Sequence, residues 1–200
     1  MRLALFLCAL LFSSLPAWAT QTILVMGDSL SAGYGIRPEQ AWPSLLAKRL
    51  GEKRSDYTVA NLSISGETTA GGRARLEPAL RQHTPTVVII ALGANDGLRG
   101  LPLAQMRDNL KAMIKAAQAS GARVLLAGMR LPPNYGPYAD EFAATFSQLS
   151  RANKTALLEF LLEPVARHSN AFQADNLHPT AEMQPLILDH VWPVLLPLLK

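Results

Sequence analysis

The sequence predicts an α/β fold of three layers, a central parallel sheet of about five strands with helices on both faces. Three observations lead there. Short apolar runs rich in β-branched residues recur along the chain, and most end at a glycine. Stretches with helical spacing of apolar residues fill the gaps between them. A balance of 49% apolar and 17% charged residues over 200 residues is globular and fits one domain, or at most two small ones. Strand–helix alternation requires crossover connections, and these give parallel strands covered by helices.

The elements follow in order. Residues 22–26 form an apolar run closed by Gly27, the expected first strand. Residues 39–50 have a helical pattern that stops at Gly51. Residues 57–62 are a second strand. Residues 86–92, closed by Gly93, are the clearest strand, with β-branched residues on both faces as in a strand buried from both sides. Pro102 opens a helix on which Leu103, Met106, Leu110, Met113, Ile114 and Ala117 recur every three or four residues, and Gly121 stops it. Residues 123–127, closed by Gly128, are a fourth strand, and residues 156–160 a weaker fifth. Residues 138–151 and 180–192 are amphipathic. The C-terminal stretch is apolar, but Asp189, His190, Pro193 and Pro197 interrupt it. It reads as a core-packing helix with a kink or stop, not a membrane anchor.

Residues 1–19 are expected to be a signal peptide, leaving 20–200 as the domain. Arg2 is a short positive start, residues 3–12 are an unbroken apolar run, and Ser13, Ser14 and Pro16 break it before Ala17-Trp18-Ala19, a small-x-small cleavage site. The run is too short to span a bilayer, which takes about 20 residues. Cys8 sits mid-run rather than at its end, which argues against a lipid anchor. Cleavage would remove Cys8, the chain's one cysteine, so the exported, periplasmic protein would stand on its hydrophobic core alone. A single cysteine also excludes a disulfide framework and a thiolate zinc cluster. The formal net charge of +4 is spread along the chain without an aromatic–basic stripe. Solvated surface is the expectation, with no nucleic-acid partner and at most transient contact with membrane lipid.

Ligands in open α/β sheets bind beyond the carboxyl ends of the strands, so chemistry-bearing residues should stand just after strands. Gly27-Asp28-Ser29 does. A serine at a helix start can act as a nucleophile beside backbone N–H groups that hold an oxyanion; the same three residues also make an ordinary helix cap. Asp175 stands three residues before His178, on a turn leading into a helix, where a carboxylate can hold one ring nitrogen while the other faces a nucleophile. A polar loop is the alternative. Of the other histidines, His83, His168 and His190 lie in helix-like or helix-end patterns. Asp189 adjoins His190, but neighbours on a helix do not face each other. Gly66 follows the second strand and offers a bare backbone N–H, or a simple turn. Asn95, in Gly93-Ala94-Asn95-Asp96-Gly97 after the third strand, offers an amide donor, or an Asx turn.

Together, Gly27-Asp28-Ser29, Gly66, Gly93-x-Asn95-Asp96 and Asp175-x-x-His178-Pro179 resemble the four blocks of the SGNH (GDSL) hydrolase family, in family order. Further stretches, residues 27–35, Ala41-Trp42-Pro43, 63–66, 93–100 and 130–136, are similar to the family's exported bacterial esterases, thioesterases and lysophospholipases. Residues 147–171 match less clearly. The resemblance implies a flavodoxin-like sandwich and a serine hydrolase of small-molecule esters and acyl thioesters. It implies Ser29 as nucleophile, His178 as base and Asp175 as its partner. Ser29 N–H, Gly66 N–H and the Asn95 amide would form the oxyanion hole, and Asp28 and Asp96 would be structural. No cofactor or metal is implied. Leu98 to Met106 and residues 132–136 are candidates for an acyl groove, or for ordinary core. Two other readings stand beside this one: an O-acetyl esterase of cell-wall glycan, and a non-catalytic carrier of acyl chains or lysolipid. A monomer is the default, since no heptad or apolar stripe argues for a dimer.

Overall fold

The computed structural model describes residues 20–54, 56–168 and 170–199; the expected signal peptide lies outside them. Each apolar run forms a strand: β1 (Gln21–Gly27), β2 (Tyr57–Asn61), β3 (Val87–Ala91), β4 (Arg123–Ala127) and β5 (Ala156–Leu158). All pair in parallel, in the order β2-β1-β3-β4-β5. This is the flavodoxin-like order. The chain leaves β1 for one edge, then returns to the other side of β1 and builds outward, so the order reverses between β1 and β3.

The helices are α1 (Ser29–Ala32), α2 (Trp42–Lys53), α3 (Thr69–His83), α4 (Ala94–Leu98), α5 (Leu103–Ala119), α6 (Pro137–Asn153) and α7 (Gln184–Leu195). Side chains alternate across a strand, so each buried strand feeds two cores. Ile23, Val25, Val87, Ile89 and Leu125 face Trp42 and Leu46 of α2 and Ile187 and Val191 of α7. Leu24, Met26, Val88, Ile90 and Leu126 face Leu76 of α3, Met106 and Leu110 of α5, and Phe142 and Phe146 of α6.

Several boundaries differ from expectation, and one helix was not expected. The 39–50 helix is instead a 3-10 turn, Pro38–Gln40, followed by α2, which runs through Gly51 to Lys53. Gly51 is exposed with nothing near its Cβ position, so the helix tolerates it there. The fifth strand stops at Leu158, short of Phe160. Pro193 does not stop α7, which runs to Leu195 before a last 3-10 turn, Leu196–Leu198. The sequence pattern did not mark α3 at all. It carries Gly71, Gly72 and Pro78 and buries Thr69, Gly72, Leu76, Ala79 and Leu80 along one face. Packing of that face on the sheet and α5 outweighs the weak local propensity.

Candidate active site

β1 ends at Gly27, where a Cβ would sit 2.7 Å from Ser31 Cβ and 2.8 Å from Ser63 Oγ, so only glycine fits. Asp28 then caps α1, its carboxylate accepting from Leu30 N–H at 3.0 Å. Ser29 is the first residue of α1, with its N–H outside the helix's own hydrogen bonds. Asp28 itself is only 1% exposed. Burial pushes its carboxyl up from 3.8 to about 6, against the opposing pull of the Leu30 N–H and the His178 charge.

His178 comes to Ser29 from the far end of the sequence, on the loop that precedes α7. Its Nε2 lies 2.8 Å from Ser29 Oγ, and its Nδ1 lies 2.7 Å from Asp175 Oδ2. The other Asp175 oxygen accepts the backbone N–H of Leu177 at 2.9 Å and of His178 at 3.0 Å. The His178 N–H, then the His178 ring and the Leu177 N–H, hold this carboxyl down at about 2. Both ring nitrogens of His178 are therefore engaged, one by Asp175 and one by Ser29. The remaining histidines are elsewhere. His83 ends α3, and His190 Nε2 meets the Phe160 carbonyl at 3.0 Å, while Asp189 pairs with Arg49 at 2.6 Å.

Gly66 occupies a turn closed by Glu67 N–H on Ile64 C=O at 3.1 Å, with φ +79, a region that disfavours side chains. Asn95 lies on α4, not in an Asx turn. Its amide donates to Glu67 C=O at 3.0 Å, which orients the group and leaves its second hydrogen over. Asp96 turns away into the protein, where its two oxygens take Thr69 N–H at 2.9 Å and Thr69 Oγ at 2.5 Å, tying α4 to α3. Asp28 and Asp96 thus hold backbone, as expected of structural acids. Among the described residues no three His, Cys, Asp or Glu side chains gather closely enough to hold a metal ion.

Ser29, Gly66, Asn95 and His178 open on one cavity of about 530 Å³. Beyond them its walls are largely apolar. Leu98, Pro132 and Pro133 line it, as the acyl-groove expectation had it, but Leu103 and Met106 are buried in the core and Tyr135 instead donates to the Leu98 carbonyl. Phe160, Leu162, Phe172 and Leu177, which no motif or spacing had singled out, are also part of the wall. Tyr34, within the recognised 27–35 stretch, stacks on the His178 ring at 4.5 Å between centroids. No helix among the described residues is long and apolar enough to cross a membrane.

Residues 25–185 match the GDSL-like Lipase/Acylhydrolase family. "Esterase TesA" of Pseudomonas aeruginosa is 50% identical over 182 residues, 90% of each chain. "Arylesterase" of Vibrio mimicus is 45% identical, over 96% of this chain and 94% of its own. "Thioesterase 1/protease 1/lysophospholipase L1" of Escherichia coli K12 is 41% identical, over 98% and 92%. Among solved structures, one titled as TesA superposes with a TM-score of 0.87 at 49% identity, covering 90% of this chain and all of its own. A psychrotrophic esterase EstA from Pseudoalteromonas, solved inhibited by monoethylphosphonate, gives 0.84 at 43% identity, over 88% and 97%.

The raised Asp28 carboxyl predicts a pH-dependent stability. Between 3.8 and about 6 the unfolded chain has released a proton that the folded chain still holds, so this group's contribution falls as pH rises through that window and is level above it. Asp28→Asn keeps an acceptor for Leu30 and removes the titration. Its stability relative to the parent should rise by roughly 1–3 kcal/mol between about pH 4 and pH 7. Urea unfolding of both proteins across that range checks this; a constant difference would contradict it.

Proposed function

The chain belongs to the GDSL-like lipase/acylhydrolase family and is an ester hydrolase, and we propose that it works through an acyl-enzyme on Ser29. The observation that carries this reading is the continuous chain from Asp175 through His178 to Ser29 Oγ, with links of 2.7 and 2.8 Å. With Asp175 ionised, the hydrogen between them belongs to Nδ1, which leaves Nε2 as the acceptor for the Ser29 hydroxyl.

In the proposed reaction Ser29 Oγ attacks the acyl carbonyl carbon and its proton passes to Nε2. The carbonyl oxygen becomes an oxyanion, held by the N–H groups of Ser29 and Gly66 and the free hydrogen of the Asn95 amide. Collapse breaks the bond to the leaving oxygen or sulfur, which takes the proton from Nε2. Water then repeats the sequence, giving its proton to Nε2 and releasing the acid from Ser29. Asp175 holds the ring in one tautomer and stabilises the imidazolium formed in each half.

The apolar walls of the cavity support acyl esters over an O-acetylated glycan, which would call for a polar cleft. Lysophospholipids and simple or aryl esters suit an exported enzyme better than acyl-CoA, a cytosolic compound. Periplasmic location rests on Arg2, the apolar run 3–12 and Ala17-Trp18-Ala19, with residues 20–200 as the mature enzyme acting as a monomer. An acyl-chain carrier has no use for a base set against a nucleophile, so the carrier reading is not favoured.

Two experiments test these assignments. Ser29→Ala should retain the native circular dichroism and lose ester turnover by several orders of magnitude. A folded variant keeping more than about a tenth of the parent kcat would remove Ser29 as nucleophile. Asp175, its carboxyl held at about 2, faces the ring as a carboxylate at any pH well above that. Asp175→Asn should keep the native fold and lower kcat by about 100-fold or more, because the amide can hold the ring in the wrong tautomer and cannot stabilise the imidazolium. A folded variant with kcat within about 3-fold of the parent would leave Asp175 as a turn residue only.

A further inference from the structure

Ser29, the first residue of α1, and His178, on the loop before α7, are 149 residues apart yet meet within hydrogen-bonding distance. The turn that follows α1 and the loop that carries His178 are joined near the reacting atoms by the side chain of Gln173. Gln173 Nε2 donates to the Tyr34 carbonyl at 2.8 Å, in the turn after α1, and to the Pro179 carbonyl at 3.1 Å on its own loop. Both amide hydrogens are therefore used, one toward each segment. The Gln173 backbone N–H donates to the His178 carbonyl at 2.8 Å. At the other end, Tyr34 N–H donates to the Ser29 carbonyl at 3.2 Å, and the Tyr34 ring lies on the imidazole. Gly35 presses against the same carboxamide: a Cβ there would sit 2.0 Å from Gln173 Oε1.

We propose that Gln173 is a positioning residue that sets the distance between Ser29 Oγ and His178 Nε2 by strapping the His178 loop to the turn that follows α1. It does not line the cavity on which Ser29 and His178 open. The proposal rests on the reading of Ser29 as nucleophile and His178 as its base. The strap matters because a nucleophile–base contact tolerates little error; a misplacement of about 1 Å can cost on the order of 100-fold in rate. His178 lies on a loop, outside any helix, so hydrogen bonds to the α1 side supply the constraint.

The test is Gln173→Leu, which keeps most of the side-chain volume and removes both donors, with Gln173→Asn as a second variant whose shortened amide cannot span to Tyr34. Steady-state kinetics on a short p-nitrophenyl ester would be normalised to active sites titrated with a phosphonate. Per titrated site, kcat should fall by about 10-fold or more with KM within about 3-fold, and phosphonate inactivation should slow in parallel, because both need the same Ser29–His178 contact. A merely structural role predicts a lower melting temperature with kcat per titrated site and the inactivation rate unchanged in both variants, and that result overturns the proposal. Ser29→Ala, assayed alongside, separates the two failures. An active Ser29→Ala removes the nucleophile reading itself, whereas an inactive Ser29→Ala with fully active Gln173 variants removes the strap alone.

Discussion

The Asp175 carboxylate is the constraint on which the rest of the site depends. One oxygen is fixed by two backbone N–H groups of its own turn, and the other faces the imidazole. Three donors on one carboxylate keep it ionised and remove its freedom to rotate. The ring it holds is thereby given both a tautomer and a direction. The turn is itself fixed from outside by the bridge between Phe172 and Pro179 and from within by Asn176 in the left-handed region at φ +55. Asparagine tolerates that conformation better than most side chains. Local backbone geometry therefore sets the electrostatics of a group that reaches across to the other end of the sequence.

Topology sets the opposite wall. Ser29 follows β1 and Asn95 follows β3, the pair of neighbouring strands between which the sheet order reverses. The connections leave β1 and β3 in opposite directions and open a crevice there. The buried acids Asp28 and Asp96 serve this arrangement from below, Asp28 by capping the turn that presents Ser29 and Asp96 by tying Asn95's helix to α3. Both lie behind the segments that carry Ser29 and Asn95, and burial pushes the Asp28 carboxyl up to about 6.

Much of this was legible in the residues because the informative features are local. Each buried strand is an apolar run, and four of the five lie where such a run ends at or near a turn glycine or asparagine. Ser29, Gly66, Asn95, Asp175 and His178 could be picked out because each sits in a short motif just after a strand or before a helix. What escaped the reading depends on distant partners. The helix α3 is held by packing against α5 rather than by its own Gly- and Pro-containing sequence. The cavity walls are assembled from side chains on several loops, so Leu98 and Pro132 lined it while Leu103 and Met106, equally apolar, went to the core. Apolarity marks both destinations and spacing does not separate them.

We propose Ser29 Oγ as the atom that bonds to the acyl carbon, with His178 Nε2, 2.8 Å away, as its base. Labelling with a phosphonate ester, followed by intact-mass measurement and peptide mapping, tests it most directly. A phosphonate takes the place of the acyl carbonyl and stays on the nucleophile that attacks it. One adduct per chain is expected, on Ser29, formed in step with loss of activity and absent from His178→Ala on the same timescale. Complete inactivation with the adduct on any other residue would contradict it.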